Sequence, residues 1–258
     1  MNETLIIVPT YNERENLPRV VQRLLSLPVQ VDLLVIDGNS PDGTGKIADE
    51  LAAKHPQIHV LHETGKNGLG RAYIAGFKWA LAHQYEFIFE MDSDVSHNPD
   101  DVPLFLEAAK TQNADLVLGS RYVGGIRVIN WPLKRLMLSR FAGKYVALVT
   151  GMPFTDPTGG YKCFRRVALQ ALDLGKIHCY GYGFQIELTN KLWRQGFKIV
   201  EVPIIFTDRT AGQSKMGGGI VNEAFWLVWR LWFQNGLRRS PRPRLPRDPV
   251  RRPTVPPA

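Results

Sequence analysis

Residues 86–94 read Glu-Phe-Ile-Phe-Glu-Met-Asp-Ser-Asp, a short apolar run followed at once by two carboxylates one residue apart. The run predicts a buried strand over Glu86–Met91, and period-two alternation would put Asp92 and Asp94 on the same side of the chain as it leaves that strand. The same grammar recurs upstream. Leu5–Val8 predicts a strand that runs into Pro9-Thr10-Tyr11-Asn12-Glu13, and Val31–Ile36 predicts another that runs into Asp37-Gly38-Asn39-Ser40-Pro41-Asp42-Gly43-Thr44. Ile58–Leu61 and Asp115–Leu118 read as further strands. Helical patterns separate them: Glu13–Leu25, Gly43–Lys54 with Asp42 as a natural N-cap, Leu69–His83 and Asp100–Thr111. Alternation of this kind predicts an α/β fold, a mostly parallel sheet with helices on both faces. Ligands of such sheets bind beyond the carboxyl ends of the strands, and that is where the polar clusters fall.

Beyond Trp131 the rhythm changes. A long helix over Leu133–Val149 precedes a Gly/Pro/Thr loop at 151–160, a strand-like Tyr-Lys-Cys-Phe and a helix over Arg166–Leu172. Phe184–Arg194 reads as a helix, Lys198–Phe206 as a strand, Thr207–Gly219 as a Gly-rich loop and Ile220–Leu237 as a last helix. No linker divides residues 1–237, which predicts one continuous domain. Residues 238–258 carry seven arginines against one aspartate, hence +6 of the overall +8, and seven of the 18 prolines. So basic and Pro-rich a segment, with almost no apolar content, predicts a disordered tail. The near-neutral body disfavours a nucleic-acid binder, whereas the tail suits anionic lipid.

Cys163 and Cys179 have no Cys-x-x-Cys spacing, which excludes a disulfide scaffold and a zinc-finger framework and suits a reducing compartment. Met1–Glu3 leads straight into a strand with no basic n-region, so no signal peptide is expected. No run of 18 uncharged apolar residues predicts a membrane span; Ala224–Phe233 comes nearest and is interrupted by Arg230. Trp226, Trp229 and Trp232 recur every three residues along the last helix, as either core or a membrane-interface face. Two hard oxygen ligands at a strand end suit Mg²⁺ or Mn²⁺, which share substrate phosphates. Ser96 and His97 are the nearby candidates for a third ligand.

Eight segments occur in order: PTYNE, D-x-N-S-P-D-G-T, KNGLGRAY (66–73), MDSD, GSRY (119–122), DPTGGYK (156–162), GYGFQIE (181–187) and DRTAGQSK (208–215). Together they resemble the family 2 GT-A glycosyltransferases, a Rossmann-like fold, and within them the dolichol/polyprenol-phosphate mannose synthases, over about residues 1–235. The resemblance implies transfer of mannose from GDP-mannose to a dolichyl or polyprenyl phosphate. It implies that Pro9, Tyr11, Glu13, Ile36 and Asp37 hold the nucleotide with Lys66, and that Asp92, Ser93 and Asp94 meet the diphosphate and metal, with Ser96 where some members carry a metal-ligating glutamine. Arg121, Arg209 and Lys215 would hold the lipid phosphate, with Arg135, Ser139 and Ser214 as further candidates. Asp156 and Glu187 match acidic positions assigned to sugar binding or loop structure. One departure matters: the family usually has Asp-Asp where this chain has Asp37-Gly38.

A phosphomonoester acceptor is mostly dianionic near neutral pH, so it needs cations to position it and no general base. A polyprenyl tail stays in the bilayer, which implies a peripheral enzyme at the cytoplasmic side of a membrane, docked directly or through an integral membrane partner, with Gly217-Gly218-Gly219 allowing the cationic loop to close as a lid. The alternatives are a glucosyl or N-acetylglucosaminyl transferase of the same family and a non-catalytic membrane-docking module. A nicotinamide dehydrogenase is disfavoured, since no G-x-G-x-x-G follows the first strand.

Overall fold

The computed structural model describes residues 2–177, 181, 183–208 and 218–234, with 218–224 and 234 as backbone alone. Seven strands form one sheet: β1 (Thr4–Thr10), β2 (Asp32–Asp37), β3 (Ile58–His62), β4 (Phe87–Glu90), β5 (Leu116–Ser120), β7 (Lys162–Arg165) and β8 (Ile199–Pro203), in the order β3-β2-β1-β4-β7-β5-β8. All pairings are parallel except those of β7, which lies antiparallel between β4 and β5. Two residues each of β6 (Val128–Ile129) and β9 (Phe206–Thr207) pair in a separate parallel ribbon.

The continuous apolar runs follow from burial on both sheet faces. Alternation sorts β1 cleanly: Leu5 and Ile7 enter one core, Ile6 and Val8 the other. The first core is closed by α3 (Leu69–Ala82), α6 (Arg166–Gln170), α7 (Gly183–Arg194) and α8 (Gly218–Gln234). The second is closed by α1 (Asn16–Leu25), α2 (Thr44–Lys54) and α4 (Val102–Thr111). Helix α3 approaches the sheet closely at Gly76, where a Cβ would stand 2.8 Å from Ile7 and 2.9 Å from Ile36. Helix α5 (Leu133–Thr150) buries only Gly143, Val146 and Thr150 and packs on α8, where the Tyr145 and Phe225 rings stack at 5.4 Å.

Three local readings change. The strand expected over 198–206 is two, because Pro203 ends the ladder at the sheet edge and Ile204 turns its N–H to the Ser120 carbonyl. Gly43, at φ 88°, is the N-cap residue of α2, while the Asp42 carboxylate accepts from the Thr44 N–H at 3.0 Å. The helix expected from Asp100 opens as a single 3₁₀ turn over Pro99–Asp101, capped by the Asn98 side chain. The tail at 238–258 lies outside the described residues.

Candidate active site

Strands β3, β2, β1 and β4 end at one edge of the sheet, and a cavity of about 380 Å³ runs along it. Pro9, Tyr11, Glu13, Ile36, Lys66, Asp92, Ser93 and Asp94 all line it. The Lys66 ammonium sits 4.5 Å from the centre of the Tyr11 ring, a cation–π contact. Glu63 and Gly38, which no motif marked as donor contacts, line the same wall. Burial pushes the Glu63 carboxyl up, against the opposing charge of Arg71.

Three residues next to this cavity hold φ of 59°: Asn12, Asn39 and Val95. Asparagine tolerates the left-handed region, whereas a β-branched valine is strained there by about 1–3 kcal/mol. The hydrogen bonds around Val95 show what holds it. Asp94 Oδ1 accepts from the Ser96 N–H at 3.1 Å and from the Ser96 hydroxyl at 2.5 Å. The Asp92 N–H donates to His97 Nδ1 at 3.0 Å, and the Ser93 hydroxyl donates to the Pro9 carbonyl at 3.0 Å. Asp92 Oδ1 accepts from the buried Tyr73 hydroxyl at 3.3 Å. The loop is thereby fixed before any ligand arrives.

Among the described residues no group of three or more His, Cys, Asp or Glu side chains forms a metal cage. Two carboxylates lining one cavity, the Asp92 side chain still 28 % exposed, nonetheless fit a hard divalent ion that takes its other oxygens from water and a diphosphate. Ser96, expected as a further ligand, uses its hydroxyl proton to orient Asp94. His97 is buried, with its ring stacked on Tyr161 at 4.8 Å and its Nδ1 committed to the Asp92 backbone. Asp37 is also buried and does not line the cavity. Its carboxylate accepts from the Ser40 hydroxyl at 2.6 Å, the Ser40 N–H at 3.1 Å and the Thr10 hydroxyl at 3.3 Å, which shapes the β2–α2 loop.

The cationic residues gather beyond β5. Arg121 grips Asp156 with both arms of its fork, Nε to Oδ2 and Nη2 to Oδ1, each at 2.6 Å, and its own N–H reaches Oδ2 at 3.1 Å. Burial works to raise the Asp156 carboxyl, but the Arg121 charge and these hydrogen bonds outweigh it and hold it below the usual range. The guanidinium is walled by the Tyr122, Trp131 and Phe206 rings at 5.4, 5.5 and 5.7 Å. Arg135 stacks on the same Trp131 at 4.2 Å and pairs with Asp208 at 2.7 Å, while Ser139 accepts from the Tyr122 hydroxyl. Arg209, Ser214, Lys215 and Gly217 lie outside the described residues, whereas Gly218 and Gly219, expected in the loop that closes as a lid, open helix α8. Glu187 is buried and paired with Lys191 at 2.7 Å.

One side chain connects the two halves. The His97 ring meets Phe206 edge-on at 5.7 Å, so the aspartate loop reaches the arginine cluster through one histidine and one phenylalanine. Glu201 on β8, which no motif marked, accepts from the Thr155 N–H, the Thr155 hydroxyl and the Asp156 N–H at 2.8–3.0 Å and so holds the loop that carries Asp156. Beneath the site, Glu90 and Lys162 face each other across β4 and β7, fully buried. Desolvation pushes the Glu90 carboxyl up to about 8 and the Lys162 ammonium down to about 8, each opposed by the other's charge.

Comparison with known proteins places the chain among relatives in sequence and in fold. A Micrococcus luteus protein named undecaprenyl-phosphate mannosyltransferase is 50 % identical over 226 residues, 88 % of this chain and 92 % of its own. A Mycolicibacterium smegmatis protein named polyprenol monophosphomannose synthase is 49 % identical over 238 residues, 92 % of this chain and 89 % of its own. The fold resembles the crystal structure of Mycobacterium tuberculosis glucosyl-3-phosphoglycerate synthase with Mn²⁺, UDP-glucose and phosphoglyceric acid (TM-score 0.64, 19 % identity, 91 % of this chain and 80 % of that one). It also resembles the Pyrobaculum calidifontis mannosyltransferase PcManGT in complex with GDP-mannose and Mn²⁺ (TM-score 0.58, 16 % identity, 92 % and 71 % covered). The profile of glycosyl transferase family 2 matches residues 5–173, and the chain belongs to that family.

Proposed function

We propose that this chain is an inverting, metal-dependent mannosyltransferase that moves mannose from GDP-mannose to a polyprenyl or dolichyl phosphate. The observation that carries the reading is the juxtaposition of an aspartate-lined nucleotide cavity with an arginine–aromatic cluster, joined through His97 and Phe206. The names of the two half-identical relatives support the same donor sugar and acceptor class.

In this reading Tyr11, Pro9 and Ile36 pack on the nucleoside, and Asp92 and Asp94 hold Mg²⁺ or Mn²⁺, which when bound neutralises the charge gathering on the departing diphosphate. Ser96 keeps Asp94 turned to that task. The acceptor phosphate oxygen attacks the anomeric carbon from the face opposite GDP; the new C–O bond forms as the old one breaks, its electron pair leaves with GDP, and the product is β-linked. The nucleophile arrives ionised, so no side chain has to remove a proton. Arg121, neutralised by Asp156, organises the acceptor wall, and the cations that meet the phosphate are assigned to Arg135, Arg209 and Lys215.

Helix α5 supports a bilayer as the acceptor's source. Leu133, Met137, Phe141 and Leu148 are 63–69 % exposed and fall within roughly 80° of arc on an α-helix, with exposed Lys144 within that arc and exposed Lys134 at its border. Trp226 and Phe233 of the neighbouring α8 are each 64 % exposed. Trp229 and Trp232 are partly buried, so the tryptophan triplet does not form a single exposed face. Apolar side chains flanked by lysines match an anionic leaflet. No helix among the described residues is long and apolar enough to cross a membrane. In this reading the exposed apolar side chains of α5 and α8 seat the enzyme on the bilayer surface, at the cytoplasmic side that the family resemblance implies.

The test is incubation of the full chain with labelled nucleotide sugars, a short polyprenyl phosphate and Mg²⁺ or Mn²⁺, followed by solvent extraction. Label is expected in the lipid phase from GDP-mannose and not from UDP-glucose or UDP-N-acetylglucosamine. Lipid labelled only from a UDP-sugar would overturn the donor, and no labelled lipid from any donor would overturn the enzyme.

A further inference from the structure

The cavity has a chemical polarity along the sheet edge. Asp92 and Asp94 mark its β4 end, and Glu63 marks its β3 end, with β1 and β2 between. Neighbouring strands lie about 4.8 Å apart, so three steps span about 14 Å. That span is comparable with the reach of a nucleoside diphosphate from its terminal phosphate to the far edge of its base. A diphosphate held at the aspartates therefore delivers the base to the wall of Tyr11, Ile36, Gly38 and Glu63.

Glu63 is placed there firmly. His62 pairs with Asp37 in the β2–β3 ladder, and the Glu63 N–H donates to the Asp37 carbonyl at 2.9 Å, which seats residue 63 alongside Gly38. A Cβ at position 38 would meet only ordinary contacts, 3.5 Å to the Thr10 carbonyl and to the Tyr11 ring and 3.8 Å to Lys66 Cα, so the glycine leaves this wall without a side chain although a Cβ would fit. The Glu63 carboxylate is half-buried at the cavity wall, and the opposing charge of Arg71 acts on it there. An ionised carboxylate is an acceptor only. Guanine presents two adjacent donors, its ring N–H and its exocyclic amine, whereas the single ring N–H of uracil is flanked by two carbonyl oxygens that repel a carboxylate.

We propose that Glu63 is the base-reading residue of the donor site: its carboxylate accepts the paired N–H donors of guanine and selects guanosine over uridine diphosphate. The inference rests on the donor reading given under Proposed function and adds the group that enforces it.

Calorimetric titration of the full chain with GDP, IDP and UDP in the presence of Mg²⁺ tests it, on wild type, Glu63→Gln and Glu63→Ala, with circular dichroism to confirm the fold. IDP lacks only the exocyclic amine. Wild type is expected to prefer GDP to both other nucleotides. In Glu63→Gln, GDP affinity should fall about 10- to 100-fold, the range for a lost charge-assisted hydrogen-bond pair, with UDP unchanged and the GDP-over-IDP preference collapsed. Equal losses for GDP and UDP would place the carboxylate on the ribose and overturn the proposal. Unaltered GDP affinity in both variants would overturn it as well. A wild-type preference for UDP would instead refute the GDP-mannose reading, an outcome separable from the behaviour of the variants.

Discussion

Replacing Asp156 by alanine removes the partner of a guanidinium whose side chain is only 12 % exposed. Three Arg121 donors and the Thr158 hydroxyl lose their acceptor together. Deleting one member of a buried ion pair costs about 3–5 kcal/mol, because the surviving charge is left uncompensated. For a domain of this size that corresponds to a fall in Tm of roughly 6–20 °C. Arg121→Met with Asp156→Leu should recover most of the loss, since removing both charges leaves nothing unpaired. The pH dependence has a definite sign. The Asp156 carboxyl is held below its ordinary value near 3.8, so its contribution is present above that pH and is lost as pH falls through the lower folded value. Urea denaturation of wild type, Asp156→Ala and the double variant between pH 3 and 7 would measure all three effects. A single variant that loses less than about 1 kcal/mol, or a double variant that loses the sum of two singles, would refute the buried-pair reasoning.

Asp94→Asn preserves shape and the hydrogen bond from Ser96 but removes one of the two aspartate charges at the β4 end of the cavity; turnover stimulated by Mg²⁺ or Mn²⁺ should fall at least about 100-fold in the lipid-extraction assay. Phe141→Asp combined with Leu148→Asp should weaken sedimentation with anionic phospholipid vesicles, leaving the share carried by the basic tail, while calorimetric GDP binding stays intact. Gly76→Ala should destabilise by about 1–3 kcal/mol in urea titration, because its Cβ would overlap Ile7 and Ile36.

How much of this was legible in the sequence depends on the range of the interaction. The strand ending in Asp-x-Asp could be read directly, since a buried parallel strand must be continuously apolar and its polar residues can begin only where it ends. That rule, repeated at β1, β2 and β4, points to the strand ends that border the cavity, whereas the individual lining positions, with Lys66 beyond β3, come from the family resemblance. Asp37 misleads because a carboxylate at a strand end satisfies either a ligand or the turn beside it, and here Ser40 and Thr10 take it. The Arg121–Asp156 fork joins residues 35 apart in sequence, and neither periodicity nor a turn signal encodes such a pairing. Glu201 is invisible for a related reason: a half-buried glutamate on an edge strand reads as surface until the 155–156 backbone is seen to rest on it. Strands β6 and β9 are two residues each, too short to carry a period.

The reversed direction of β7 has its own consequence. Strand β5 finishes at the edge where sugar transfer is proposed, and β7 starts from that same edge, so residues 121–161 leave the sheet and rejoin it at one edge. Everything assigned above to the incoming lipid in that stretch, α5 included, is thus in the proposed reading a detour from a nucleotide-handling half whose strands it does not interrupt. Such a layout lets recipients change by rewriting one excursion while the donor machinery stays as it was.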